Sequence, residues 1–193
     1  MDWVYAALLG YLAGSIPFGL LLARLFGAGD IRQIGSGSIG ATNVLRTGRK
    51  GLAAATVLLD AGKGAAAVLL AARLFPGFEG IAAVAAIAGH CFPAWLRFRG
   101  GKGFAPAAGV CLVLAWPAFL VSAVAWAAMV GLTRISSVSS MTAVTVAPIA
   151  AWLFGLPVAA ATLAAIAAIV LVQHRANIGR LLRGEEPKVG KGK

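Results

Sequence analysis

The chain has 193 residues, of which 60% are hydrophobic and 12% charged, and its mean hydropathy is +0.89. A soluble domain is typically about 45–50% apolar and about 25% charged, and a small fold cannot bury such an excess, which excludes a water-soluble globule. Seventeen Lys and Arg against six Asp and Glu give a formal charge of +11, whose meaning depends on where those charges fall.

The composition predicts an all-α integral membrane protein forming one polytopic domain over residues 1–193. A hydrocarbon core roughly 30 Å thick takes about 17–25 helical residues per crossing. Seven apolar stretches are candidates: Val4–Phe26, Leu52–Phe75, Gly80–Leu96, Phe104–Ala115, Trp116–Leu132, Val138–Phe154 and Leu156–Gln173. The fourth and fifth abut at Trp116-Pro117, either as two short helices or as one kinked segment. Proline disrupts a helix interior and suits a first turn, so Pro117 favours two helices, and Pro157 marks a similar start.

With seven spans, alternate loops share a side of the membrane. One side collects Arg24, Arg32, Arg46, Arg49, Lys50, Arg97, Arg99, Lys102, Arg134, Arg175, Arg180, Arg183, Lys188, Lys191 and Lys193, leaving only Lys63 and Arg73 elsewhere. Cytoplasmic loops concentrate Lys and Arg, so the N-terminus is expected outside and the C-terminus in the cytoplasm. No basic residue precedes Arg24, so the first stretch reads as a retained span rather than a cleaved signal. The basic end, Lys188–Lys193, suits anionic lipid headgroups. Cys91 and Cys111 lie in apolar stretches and read as packing residues.

The polar residues gather in four places on the proposed inner side. The first loop reads Gly35-Ser36-Gly37-Ser38-Ile39-Gly40-Ala41-Thr42-Asn43, followed by Arg46. Glycines let successive amides converge on phosphate oxygens, while Ser36, Thr42, Asn43 and Arg46 add donors. The run matches Gly-x-Gly-x-x-Gly by letter, but a membrane helix precedes it where a dinucleotide fingerprint needs a strand. The second loop, Arg97-Phe98-Arg99-Gly100-Gly101-Lys102-Gly103, is a further anion cradle. It is no Walker A motif, because Gly103 stands where the hydroxyl should be. The third offers Ser136, Ser137, Ser139 and Ser140 at a helix start, where serines often cap. The fourth leaves the last span as His174-Arg175-Ala176-Asn177, with His174 and Asn177 on one helical face.

Asp60 and Lys63 fall inside the second span. An unpaired charge there costs about 2.5–3.5 kcal/mol, so they are expected to neutralise one another, with Gly62 and Gly64 allowing close packing. His90 could pack or hold its segment to the second loop. Two histidines and few acids argue against a metal centre. No carboxylate pair suits glycoside hydrolysis, and nothing marks a serine hydrolase. Anion binding without a protein nucleophile remains, which suits transfer between phosphorylated substrates, although a transporter of a phosphorylated metabolite is an alternative.

The chain resembles the bacterial membrane glycerol-3-phosphate acyltransferases that use acyl phosphate as donor. Gly14-Ser15-Ile16-Pro17-Phe18-Gly19, Gly35 to Asn43, Gly89 to Pro93, Phe98 to Gly103, and His174 to Arg180 with Gly184-Glu185 carry the likeness, whose order and spacing are specific. The resemblance implies seven spans and an active site on the cytoplasmic face of the inner membrane. It implies formation of 1-acyl-glycerol 3-phosphate with release of phosphate, in phospholipid biosynthesis. No cofactor or metal is expected, and no nucleic acid or obligate protein partner. Ser36, His174 and Asn177 are the expected catalytic residues. Gly37, Ser38, Gly40, Thr42, Asn43, Arg46, Gly101, Lys102, Ser137 and Ser140 are expected to bind substrate. Ser38 departs from the family, which usually has Asn there.

Overall fold

The computed structural model describes residues 1–189; Lys191 and Lys193, expected on the inner face, lie outside them. Every regular element among the described residues is helical. In chain order these are α1 (Asp2–Gly14), α2 (Phe18–Leu25), α3 (Ala41–Leu45), α4 (Lys50–Leu74), α5 (Glu79–Cys91), α6 (Phe104–Leu114), α7 (Trp116–Thr133), α8 (Ser136–Leu153), α9 (Pro157–Gln173) and α10 (Arg175–Leu182). Helices satisfy their own backbone groups, which hydrocarbon demands of any segment crossing it.

Each of the seven apolar stretches contains helix, with two differences from expectation. The first stretch breaks at Ser15-Ile16-Pro17 into α1 and α2. Proline lacks an N–H and turns the preceding residue away from helix, so the break sits where the sequence puts Pro17. The third ends at Cys91, and Ala94–Leu96 forms a separate short 3-10 turn. Among the described residues five segments are long and apolar enough to cross a membrane, counting α1 and α2 together, and α9 with α10 makes a sixth, bent by 58°. The 11 residues of α6 reach only about 16 Å, short of a full crossing. The fourth and fifth stretches are two helices, meeting at an extended Ala115 with Pro117 in the first turn of α7.

Helix contact in lipid has little hydrophobic drive and relies on close approach of backbones. Gly10 and Gly14 of α1 face Ala82 and Ala86 of α5, and a Cβ on either glycine would overlap an alanine carbonyl. Gly64 of α4 meets Pro106 of α6, and Gly109 of α6 meets Ala61 of α4. Gly62, expected to help packing, is exposed and has open space around its Cα. The main core gathers Val68, Ile87, Val110, Leu163, Ile166 and Val170 from α4, α5, α6 and α9. Leu58, Leu69, Val124, Trp152 and Val158 point outward, the apolar exterior that a bilayer covers. Only Ala118 and Ser122 of α7 are buried, so that helix stands at the edge of the bundle.

Gly14→Ala and Gly62→Ala make the same chemical change with opposite surroundings. Overpacking a well-packed contact costs about 1–3 kcal/mol, so Gly14→Ala should lower the Tm of detergent-solubilised protein. Gly62→Ala should hold or raise it, because alanine is the better helix former. Equal Tm changes would show that the α1–α5 contact is not close-packed.

Candidate functional site

The first polar loop leaves α2 through Asp30, which binds Arg32 in an ion pair and accepts from its backbone N–H at 3.1 Å. Arg24 adds a second contact at 3.1 Å. Hydrogen bonding from Arg32 dominates, overcomes desolvation and holds the Asp30 carboxyl well below the usual range. The loop then turns through Gly35 and Gly37, both at positive φ. A Cβ on Gly35 would run into the Arg46 guanidinium, so only glycine lets that cation lie against the loop.

Asn43 is the loop's fastener. Its side-chain amide donates to the Ile31 carbonyl at 2.6 Å and the Ser38 carbonyl at 2.8 Å. Its Oδ1 accepts from the Ser36 amide at 3.4 Å and from Arg46 at 3.2 Å. These bonds make Asn43 the residue that shapes the loop, and it also borders the large cavity. Ser38 accepts from the Gly40 N–H at 3.3 Å, a local turn that its hydroxyl makes without needing an amide.

The second loop folds back on α5. Gly100 N–H donates to the Cys91 carbonyl at 3.1 Å and Gly101 N–H to the His90 carbonyl at 3.0 Å. Gln173, the last residue of α9, donates to the Gly101 carbonyl at 3.2 Å. These bonds present Lys102 toward the first loop. Burial lowers its pKa to about 8, with Glu186 pulling upward and Arg180 and Arg46 pressing down.

On α8, Ser137 and Ser140 share the face turned to the site, while Ser139 bonds back to the Ile135 carbonyl at 3.1 Å. The last span ends at His174, whose Nδ1 lies 2.8 Å from the Val170 carbonyl. Donation from Nδ1 leaves Nε2 as the acceptor of the neutral ring. After the bend, Asn177 and Arg180 of α10 meet Glu186, a residue not singled out as part of the site from the sequence. Glu186 accepts from Ser137 at 2.7 Å, Asn177 at 2.5 Å and Arg180 at 2.7 Å. Desolvation would raise its pKa, but these three donors outweigh it and hold the carboxyl below its ordinary value. Asn177 Oδ1 is buried without a partner.

Two cavities meet at this wall. The larger, about 1160 Å³, runs from Ser36, Thr42, Arg46 and His174 into an apolar slot between α6, α7, α8 and α9 lined by Ala108, Phe119, Trp126, Ala147, Leu163 and Ile166. The second, about 890 Å³, is edged by Arg32, Arg97, Arg99 and Arg175. Ser36, Ser38, Lys102, Asn177 and Arg180 line both. Every residue expected at the site borders the first cavity except Gly37 and Gly101, which border the second. No group of His, Cys, Asp or Glu among the described residues could hold a metal.

Four of the six carboxylates are allocated, all but Asp2 and Glu79. Asp30 pairs with Arg24 and Arg32, Asp60 with Lys63, Glu185 with Arg183 and Glu186 with Arg180. Among the described residues no carboxylate pairs with Arg46 or Lys102. Those two cations are available to an anion.

An all-helical bundle with an apolar exterior, whose apolar slot ends at two cations without a carboxylate partner, defines an integral membrane protein with a cationic pocket. The chain belongs to the glycerol-3-phosphate acyltransferase family, whose profile matches residues 4–184. It is 58% identical over 190 residues to the glycerol-3-phosphate acyltransferase of Erythrobacter litoralis, covering 98% of this chain and 96% of that one. Its counterpart from Novosphingobium aromaticivorans is 60% identical over 184 residues, covering 95% and 93%. The fold is similar to the crystal structure of PlsY, described as an integral membrane glycerol 3-phosphate acyltransferase, in its glycerol 3-phosphate form. There the TM-score is 0.92 at 34% identity, covering 98% of this chain and 96% of that one. The lysophosphatidic acid form of PlsY matches with a TM-score of 0.90 at 33% identity.

Glu186 ties α8 to α10 only while ionised. A carboxyl held below its unfolded pKa stabilises above that value, and the contribution disappears as pH falls through the folded one. Glu186→Gln should therefore lower the Tm by several degrees at pH 7. The gap to the parent should close as pH drops below about 4, where unfolded Glu becomes protonated. A gap constant with pH would show that the charge is not what holds the clip.

Proposed function

We propose that the protein transfers a fatty acyl group from acyl phosphate to glycerol 3-phosphate, giving 1-acyl-glycerol 3-phosphate and inorganic phosphate. The observation that carries this reading is the shared wall of the two cavities. An amphipathic donor needs an apolar slot for its tail, a soluble acceptor needs a polar basin, and the reacting groups must meet where both open. Family membership and the likeness to PlsY support glycerol 3-phosphate as the acceptor.

In this scheme the acyl tail lies between α6 and α9, and its phosphate rests on Ser36, Gly37, Thr42 and the amides of the first loop, with Ser38 and Gly40 shaping it. The phosphate of glycerol 3-phosphate is held by Arg46, Lys102 and Ser140, while neutral His174, its Nδ1 bonded to Val170, turns its Nε2 acceptor to the second glycerol hydroxyl. Ser137 and Gly101 keep the surrounding backbone and Glu186 in place. The unpartnered Asn177 Oδ1 accepts from the substrate hydroxyl and orients it. The hydroxyl oxygen attacks the acyl carbon, the carbon–oxygen bond to phosphate breaks, and the departing phosphate takes the proton. Ser36 donates to the developing charge, so the protein supplies alignment and electrostatic preorganisation, not a covalent intermediate.

The membrane topology proposed with this function has seven crossings, α6 being a short one, in a single domain. The N-terminus lies outside and the site faces the cytoplasm of the bacterial inner membrane. The arginine-rich rim of the second cavity supports that orientation, because cytoplasmic loops concentrate cations. Membrane lipids are the surrounding partners, and the chain works without cofactor or obligate protein partner.

Purified protein given palmitoyl phosphate should release phosphate only when glycerol 3-phosphate is present, with equimolar lysophosphatidate, and should not use palmitoyl-CoA. Transfer from the thioester alone would overturn the donor, and neither reaction with folded protein would favour transport. Lys102 binds phosphate as the cation, so kcat/KM for glycerol 3-phosphate should fall as pH rises through about 8. Lys102→Arg, which stays charged, should move that fall to higher pH; an unchanged profile would remove Lys102 from the binding step.

A further inference from the structure

Three ionisable side chains sit inside the bundle, beneath the anion-binding loops. Asp60 and Lys63 of α4 and His90 of α5 are all nearly inaccessible. Ionisable groups in a span are rare, and a buried ion pair is often no more stabilising than the apolar residues that could replace it. Stability alone therefore does not account for them. What they touch is more informative.

Lys63 Nζ lies 2.7 Å from Asp60 Oδ1 and donates to the Ile16 carbonyl at 2.6 Å, with the Phe18 ring 5.7 Å away. Ile16 belongs to the break between α1 and α2. From there α2 leads into the first loop, with Gly19 close against the Ile39 carbonyl. On its other side Asp60 faces His90, whose Nδ1 stands 3.8 Å from the same Oδ1. The His90 carbonyl accepts the Gly101 N–H, and the His90 ring fills the space a Cβ on Gly101 would occupy. Lys102 is the next residue. One carboxylate in the middle of α4 is thus bonded through Lys63 to the origin of the first loop, and it packs without a hydrogen bond against His90, whose ring and carbonyl meet the backbone beside Lys102.

We infer that Asp60, Lys63 and His90 are positioning residues for the transfer, fixing the distance between the two anion-binding loops that α2 and α5 deliver separately. This rests on the assignment of Lys102 to the glycerol 3-phosphate site. The cluster is separate from the groups assigned above to either phosphate. Asp60 and His90 border the large cavity from within the bundle, and the cluster acts through Ile16 and Gly101.

The test uses full-length protein, purified in detergent and checked for folding by size exclusion and Tm, with palmitoyl phosphate as donor. His90→Gln and Asp60→Asn should raise KM for glycerol 3-phosphate by roughly tenfold or more, since displacements near 1 Å are costly in an oriented site. The palmitoyl phosphate KM should move less than about twofold. Lys63→Met, which frees both Asp60 and the Ile16 carbonyl, should raise both constants. In a Lys102→Ala background, His90→Gln should add less than about twofold, because contacts acting through one another are not additive. Unchanged KM values with a lowered Tm, or a full effect persisting without Lys102, would overturn the inference. So would failure to recover folded protein from any of the three, which would assign the cluster to folding. If Lys102→Ala alone leaves KM unmoved, the site assignment itself fails, whereas a raised KM there beside unmoved values in the three variants defeats only the positioning role.

Discussion

A phosphate brought to the edge of a hydrocarbon slab gives up water before it gains anything, and every group that receives it must already be in place. The protein meets this constraint by removing competitors. Each carboxylate near the polar loops has a cation of its own, and Glu186 is turned toward Ser137, Asn177 and Arg180. Arg46 and Lys102 are left to a ligand. Burial of Lys102 lowers its pKa, and the same burial strengthens its attraction for an anion once it is charged.

The fold follows from where such groups have to stand. The site draws on α3, α10 and two glycine-rich loops, which pack little by themselves, and on the first turns of α8, which packs along α7 and α9. The bundle beneath them is therefore built on backbone contact, with Gly14 against Ala86 and Gly109 against Ala61. The bend after Gln173 turns α10 across the site and lets Asn177 and Arg180 reach a residue beyond Gly184. An apolar slot on one side and a cationic basin on the other then open on a common wall.

Much of this is legible in the residues. Long apolar runs define the helices because hydropathy is summed over many positions, and Pro117 and Pro157 mark helix starts directly. The anion loops can be read because Gly, Ser and Arg crowd into short stretches between such runs. The α1–α2 break is harder to see, since Ser15, Ile16 and Pro17 scarcely interrupt an apolar run. Asn43 reads as a hydrogen-bonding residue of the loop, but that its amide closes the loop on the Ile31 and Ser38 carbonyls is visible only in the structure. Glu186 is hidden for a different reason: it follows the last helix with no periodicity around it, and its partners come from α8 and α10. The link from Asp60 to His90 needs two helices brought together, which no spacing along the chain expresses.

The convergence of the two cavities can be measured directly, by solving the structure with glycerol 3-phosphate and an acyl phosphonate whose phosphorus cannot depart. The tail should lie between α6 and α9, the phosphonate against the loop from Gly35 to Thr42, and the glycerol hydroxyl beside Asn177 facing the acyl carbon. A tail lying outside the helices, or a glycerol phosphate bound away from Lys102, would contradict the arrangement at its root.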